Sequence, residues 1–103
     1  MKVKIDTEIT KLDGTKIIDE NGSNSTLKSI MVRALTNSLD TDGALTGEKK
    51  FELYNVANKI NSCKKEVELT VEEIALIKER IGKSFIIEVI GQAWNLLEAK
   101  EKD

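Results

Sequence analysis

The 103-residue chain has no histidine and no proline, a single cysteine, and only one Trp, one Tyr and two Phe. Without histidine it lacks the side chain that most often serves as a general acid–base near neutral pH and as a transition-metal ligand. Cys63 on its own cannot close an intrachain disulfide, which favours a reducing compartment. The most apolar stretch, Phe85 to Leu97, is broken by Glu88, Gln92 and Asn95 and falls short of the roughly 20 residues of a membrane span. The start, Met1-Lys2-Val3-Lys4-Ile5-Asp6, places charges where a secretory signal needs apolar residues. An excess of one charge is missing as well. Sixteen Lys+Arg against eighteen Asp+Glu give a net charge of −2, so nothing is set up to neutralise a phosphate backbone, and nucleic acid is disfavoured as a partner. The expectation is a soluble cytoplasmic protein with no membrane contact, no cofactor and no metal.

What the chain does contain is ordinary core material. Hydrophobic residues are 40% and charged residues 33%, the composition of one globular domain over residues 1–103. Lys2 to Thr10 alternates imperfectly, with Val3, Ile5 and Ile9 on one face. Asp13-Gly14 then supplies a tight turn whose two central positions favour positive φ, and Lys16-Ile17-Ile18 returns as the second strand. Asp19 to Ser25 is a polar loop.

Four helical patterns follow. Leu27, Ile30, Met31, Ala34, Leu35 and Leu39 recur at helical spacing behind a Ser25 or Thr26 cap, with a loop ending at Asp42-Gly43. A second helix spans Gly47 to Ile60, capped by Thr46 and carrying Phe51, Tyr54, Ala57 and Ile60, with Leu53 and Val56 widening its apolar face. Asn61 to Lys65 breaks it, and Glu66 to Leu69 is a short extended link. Thr70-Val71-Glu72-Glu73 is a capping box, with Leu69 and Ile74 as its hydrophobic staple. The third helix turns Ile74, Ile77 and Ile81 inward and is expected to close at Gly82 in the left-handed conformation. Ser84 is read as the cap of a fourth helix, in which Gly91 predicts close approach of another backbone. Lys100 to Asp103 is a charged tail. The expected fold is α+β and mostly helical, an N-terminal β-hairpin followed by four helices.

Chemical motifs fail on spacing. Gly82-Lys83-Ser84 resembles the end of a phosphate-binding loop, but Ile77 stands where its first glycine belongs. Asp40, Asp42 and Gly43 suggest a calcium loop starting at Ser38, yet Lys49 occupies the position of the bidentate glutamate. Glycoside chemistry at Glu72-Glu73 or Glu66/Glu68 would need two carboxylates facing each other across a cleft, whereas Glu72 and Glu73 are explained by the helix start. Cys63 beside Lys64 and Lys65 has no histidine to activate it. Lys49-Lys50 and Lys64-Lys65 read as solvated surface. No catalytic, cofactor or metal residues are expected.

The last helix has apolar residues to spare. Ile86, Val89, Ile90, Ala93, Trp94 and Leu97 suffice for one docking stripe, whereas Ile87 and Leu96 lie off it and need an enveloping core or a second chain. Ile87, Trp94 and Leu96 are therefore the candidate interface, and a homodimer is the expected assembly.

Several segments also carry a resemblance. Leu12-Asp13-Gly14, Thr26-Leu27-Lys28, Leu45-Thr46-Gly47-Glu48-Lys49-Lys50, Val67-Glu68-Leu69-Thr70, Glu73-Ile74-Ala75-Leu76-Ile77-Lys78 and Gly91-Gln92-Ala93-Trp94 together resemble small proteins encoded by tailed phages and prophages. The resemblance implies a viral origin, expression in the host bacterial cytoplasm and a role performed by binding, and it brings no site residues with it. The expected function is a non-enzymatic accessory protein that binds a host or phage protein, inhibiting a host factor or defence component. The alternative is a minor morphogenesis or assembly protein.

Overall fold

In a computed structural model, residues 1–18, 22–37, 39 and 43–98 are described. The element order is β1 (Lys2–Lys4), α1 (Leu27–Thr36), α2 (Gly47–Asn61), β2 (Glu66–Glu68), α3 (Val71–Ser84) and α4 (Ile87–Glu98). The fold is α+β and mostly helical, as the patterning predicts.

The N-terminal reversal is a hairpin held by one bridge. Lys11 N–H donates to Thr15 O, Gly14 N–H donates to Lys11 O, and Thr10 faces Lys16 antiparallel. Within this turn Gly14 alone takes positive φ (+89°), so the loop is a three-residue turn closed by a left-handed glycine, and Asp13 stays at negative φ. The regular ladder forms elsewhere. β1 pairs antiparallel with β2, Val3 opposite Val67, which makes the expected link at Glu66 to Leu69 a strand. The extended N-terminus is tied on both sides: Ile5 N–H donates to Lys65 O, while Leu27 and Lys28 N–H donate to Thr7 O and Ile5 O. Val3, Ile5 and Ile9 are buried by this sandwiching.

α1 is the hub, packed against α2 and α3, with α4 laid on α3. Thr26 caps α1, Thr46 caps α2 and Thr70 caps α3, each hydroxyl accepting from the amide three residues on. At α3 the box is complete, since Glu73 Oε1 accepts from the Thr70 amide at 2.9 Å, and the staple residues Leu69 and Ile74 are both buried. Several local expectations change. The buried stripe of α2 is Leu53, Val56, Ala57 and Ile60, whereas Phe51 and Tyr54 stack on each other in solvent, ring centroids 6.5 Å apart. α3 does not stop at Gly82 but runs to Ser84, whose hydroxyl donates to Arg80 O, and Phe85 is its C-cap. Ser84 thus ends α3 rather than capping α4. Leu39 lies beyond the end of α1. The Gly91 reading is corrected too, because a β-carbon there would meet open space. Ser38, Asp40, Asp42 and the Lys100–Asp103 tail lie outside the described residues, and with them the calcium-loop pattern.

The joint between α1 and α3 is polar. Arg80 is 6% exposed, and its guanidinium donates to Ala34 O at 3.0 Å and to Asn37 O at 2.8 Å. These carbonyls belong to the last turn and C-cap of α1, where a helix has acceptors left over and the negative end of its dipole. Burying a guanidinium is costly unless its N–H groups find such partners. Replacing Arg80 by Met keeps much of the side-chain volume but strands the two carbonyls. R80M is expected to lower the unfolding free energy by about 2–4 kcal/mol, measured by urea denaturation; a loss under about 1 kcal/mol would show that the joint is dispensable.

Glu73 gives the fold a pH signature. Partial burial acts to raise its pKa, but the Thr70 amide and the Lys59 ammonium (2.9 Å) bind the charged form and hold the carboxyl below its ordinary value. A depressed folded pKa contributes stability above the unfolded value, about 4.3, that is lost as pH falls through the folded one. E73Q keeps a hydrogen-bonding cap but cannot ionise. Its deficit relative to the native chain is expected to shrink as pH falls from neutrality to about 3, as read from urea midpoints; a deficit constant with pH contradicts this role.

Candidate functional site

The three candidate interface residues do not form one patch. α4 buries Val89, Ala93 and Leu97. Leu96 is half-buried against that same core, so its place off the stripe is filled by its own chain. Ile87 stands nine residues earlier, on the opposite side of the helix, and is 85% exposed. Trp94 shares the Ile87 side but leans on α3. Its indole N–H donates to Lys78 O at 3.2 Å, and the Lys78 ammonium lies 4.7 Å from its ring centroid. The ring edge reaches Gly82, where an added β-carbon would sit 3.6 Å away in ordinary contact. Trp94 is thus a wedge between α3 and α4 with one face left in water.

Ile87 has neighbours that the sequence reading missed. The hairpin reaches the start of α4 through two polar side chains of that helix. Thr10 N–H donates to Gln92 Oε1 at 3.0 Å while Gln92 Nε2–H donates back to Thr10 O, so the amide imitates one step of a strand. One helical turn earlier, Glu88 Oε2 accepts from the Leu12 amide at 2.9 Å. The outcome is that Leu12, 86% exposed at the hairpin tip, is set beside the α4 start with Ile86 and Ile87. Three exposed large aliphatic side chains, Leu12, Ile86 and Ile87, therefore lie around the start of α4, where Glu88 and Gln92 hold the hairpin. Only the alternation of apolar and polar residues through Ile87-Glu88-Val89-Ile90-Gly91-Gln92 could have signalled it, since the hairpin's position is set by long-range contacts.

The other candidates take structural roles. Glu72 and Glu73 sit in the first turn of α3, and Glu66 and Glu68 flank Val67 on the exposed side of β2. The Cys63 carbonyl accepts from Lys28 Nζ at 2.7 Å, tying α1 to the end of α2. Gly82, Lys83 and Ser84 are the last turn of α3, with Lys83 paired to Glu79. Among the described residues, no group of three or more Cys, Asp or Glu is gathered as a metal site. No helix there is long and apolar enough to cross a membrane.

No protein-family model, no curated protein and no solved structure matches this chain.

A concavity, also unread from sequence, opens where the end of α1 meets α2 and α3. It has a volume of about 460 Å³ and is bordered by Leu35, Leu39, Leu53, Lys50, Tyr54 and Arg80.

The clamp on the hairpin can be tested without any partner. Q92A removes both hydrogen bonds to Thr10 and is expected to cost about 1–3 kcal/mol, with amide exchange at Thr10 and Leu12 accelerated more than at Ile30 in α1. Equal acceleration at all three amides would show that the hairpin is not held locally.

Proposed function

We propose that this chain is a non-enzymatic, phage-encoded accessory protein that works in the bacterial cytoplasm by binding another protein, inhibiting a host factor or defence component. The observation that carries the reading is the aliphatic surface of Leu12, Ile86 and Ile87, with exposures of 86%, 60% and 85%. Single exposed aliphatic residues are commonplace, but adjoining ones mark contact surfaces, because covering each side chain is worth about 1.5–3 kcal/mol. Their setting supports the same reading. The hairpin and α4 are fastened to one another by Glu88 and Gln92, so the surface is presented on a fixed scaffold and loses little conformational freedom on contact. Viral origin and host location rest on the sequence resemblance. The non-enzymatic character rests on the missing histidine and on the structural employment of the carboxylate pairs.

A second copy of the chain is one partner this surface could take, and a homodimer remains within the proposal. Two measurements test it together. Tagged protein expressed in the host should retain a specific polypeptide that the double variant L12D/I87D loses, with both proteins melting alike. Light scattering on the purified chain should then separate the cases: twice 11.5 kDa for a homodimer, 11.5 kDa where the partner is foreign. Retention of the same polypeptides by the double variant, or a native chain that is both monomeric and partnerless, would overturn the reading.

A further inference from the structure

The concavity at the end of α1 lies apart from the aliphatic surface and has a chemistry of its own. Its apolar floor is Leu35, Leu39 and Leu53, with Leu35 and Leu53 buried beneath it. Arg80 closes the inner end with its guanidinium turned onto the α1 carbonyls. The lip belongs to α2, where Lys50 and Tyr54 stand four residues apart and so project from the same side of the helix. The polar ends of both are open: among the described residues the Lys50 ammonium makes no ion pair and the Tyr54 hydroxyl, on a ring stacked against Phe51, no hydrogen bond. The other lysines along this part of α2 and α3 differ. Lys49 is paired with Glu52 and Lys83 with Glu79. One ammonium and one phenol hydroxyl, both donors, therefore border the same apolar floor, one helical turn apart. A volume of about 460 Å³ falls within the range of small-molecule sites.

We infer that this cleft binds a small organic carboxylate, its two oxygens accepting from Lys50 Nζ and the Tyr54 hydroxyl and its apolar or aromatic body lying on Leu35, Leu39 and Leu53. A carboxylate is the anion that fits two adjacent donors, and hydrogen bonds in which a partner is ionised are the stronger kind. The phenol ring of Tyr54 adds an aromatic wall against which a flat body can stack. The acid's charge also finds a positive lip on a chain whose net charge is negative.

Hydrocinnamate serves as the probe, with its neutral amide as the matched control. In a titration followed by amide chemical shifts, hydrocinnamate is expected to produce saturable changes at Thr36, Lys50, Leu53 and Tyr54 at millimolar concentrations. The neutral amide should bind about tenfold more weakly, and K50M and Y54F should each weaken the acid several-fold. Both residues are exposed, so the variants should melt as the native chain does. The double variant L12D/I87D should bind the probe normally, so loss of the protein partner and loss of this site are read independently. Overturning results are no saturable change, changes centred away from the cleft, amide binding as tight as the acid's, or indifference to both K50M and Y54F.

Discussion

A buried guanidinium fixes the helical framework. α1 is short, ten residues, yet it supplies the centre of the core, and its C-terminal carbonyls would be left without partners inside the protein. Arg80 reaches across from α3 to satisfy two of them, and in doing so sets how far along α1 the third helix sits. Ile77 and Ile81 of α3 belong to the same buried cluster as Ile30, Met31 and Ala34 of α1. Two hydrogen bonds from one rigid planar group hold that position.

From this joint two surfaces follow in two directions. On one side the meeting of α1, α2 and α3 leaves a cleft whose inner end is Arg80 and whose lip is Lys50 and Tyr54. On the other side α4 is laid along α3 with Trp94 as the wedge, and its outer side carries Ile87. The hairpin is drawn to α4 by side chains of α4 itself, Gln92 and Glu88, which act on the backbone of Thr10 and Leu12. Polar contacts therefore orient the elements, while apolar burial stabilises them. That division leaves aliphatic side chains outside without loosening the framework that displays them.

What was legible in the sequence was local. The capping box at Thr70 to Glu73 depends on four residues and on no other part of the chain, and the stripes of α1 and α3 are single and unambiguous. α2 was misread because it has two apolar stripes, Phe51–Tyr54 and Leu53–Val56–Ile60. Only the position of α1 decides which is buried. The end of α3 was misread because Gly82 is a common helix stop, whereas the Ser84 hydroxyl on Arg80 O and the Lys83–Glu79 pair support two further residues. Pairing of β1 with β2 joins residues more than sixty positions apart, which no periodicity encodes. Arg80 could have been noticed: its place between Ile77 and Ile81 puts it on the inward side, an unusual station for a charge. Of the candidate interface residues, Leu96 is accounted for by its own core and Trp94 in large part by α3, which leaves Ile87. Its companion Leu12 belongs to a distant segment and was beyond reach.

As proposed above, a fixed scaffold presents Leu12, Ile86 and Ile87 to another polypeptide. Site-specific photo-crosslinking in the host tests it most directly, with a benzophenone side chain placed at Ile87 and, as a control, at Lys64 in the turn before β2. A discrete adduct is expected from position 87, whose mass identifies either a second copy or a foreign protein, and none from position 64. Absence of an adduct at 87, or the same adducts from both positions, would contradict it.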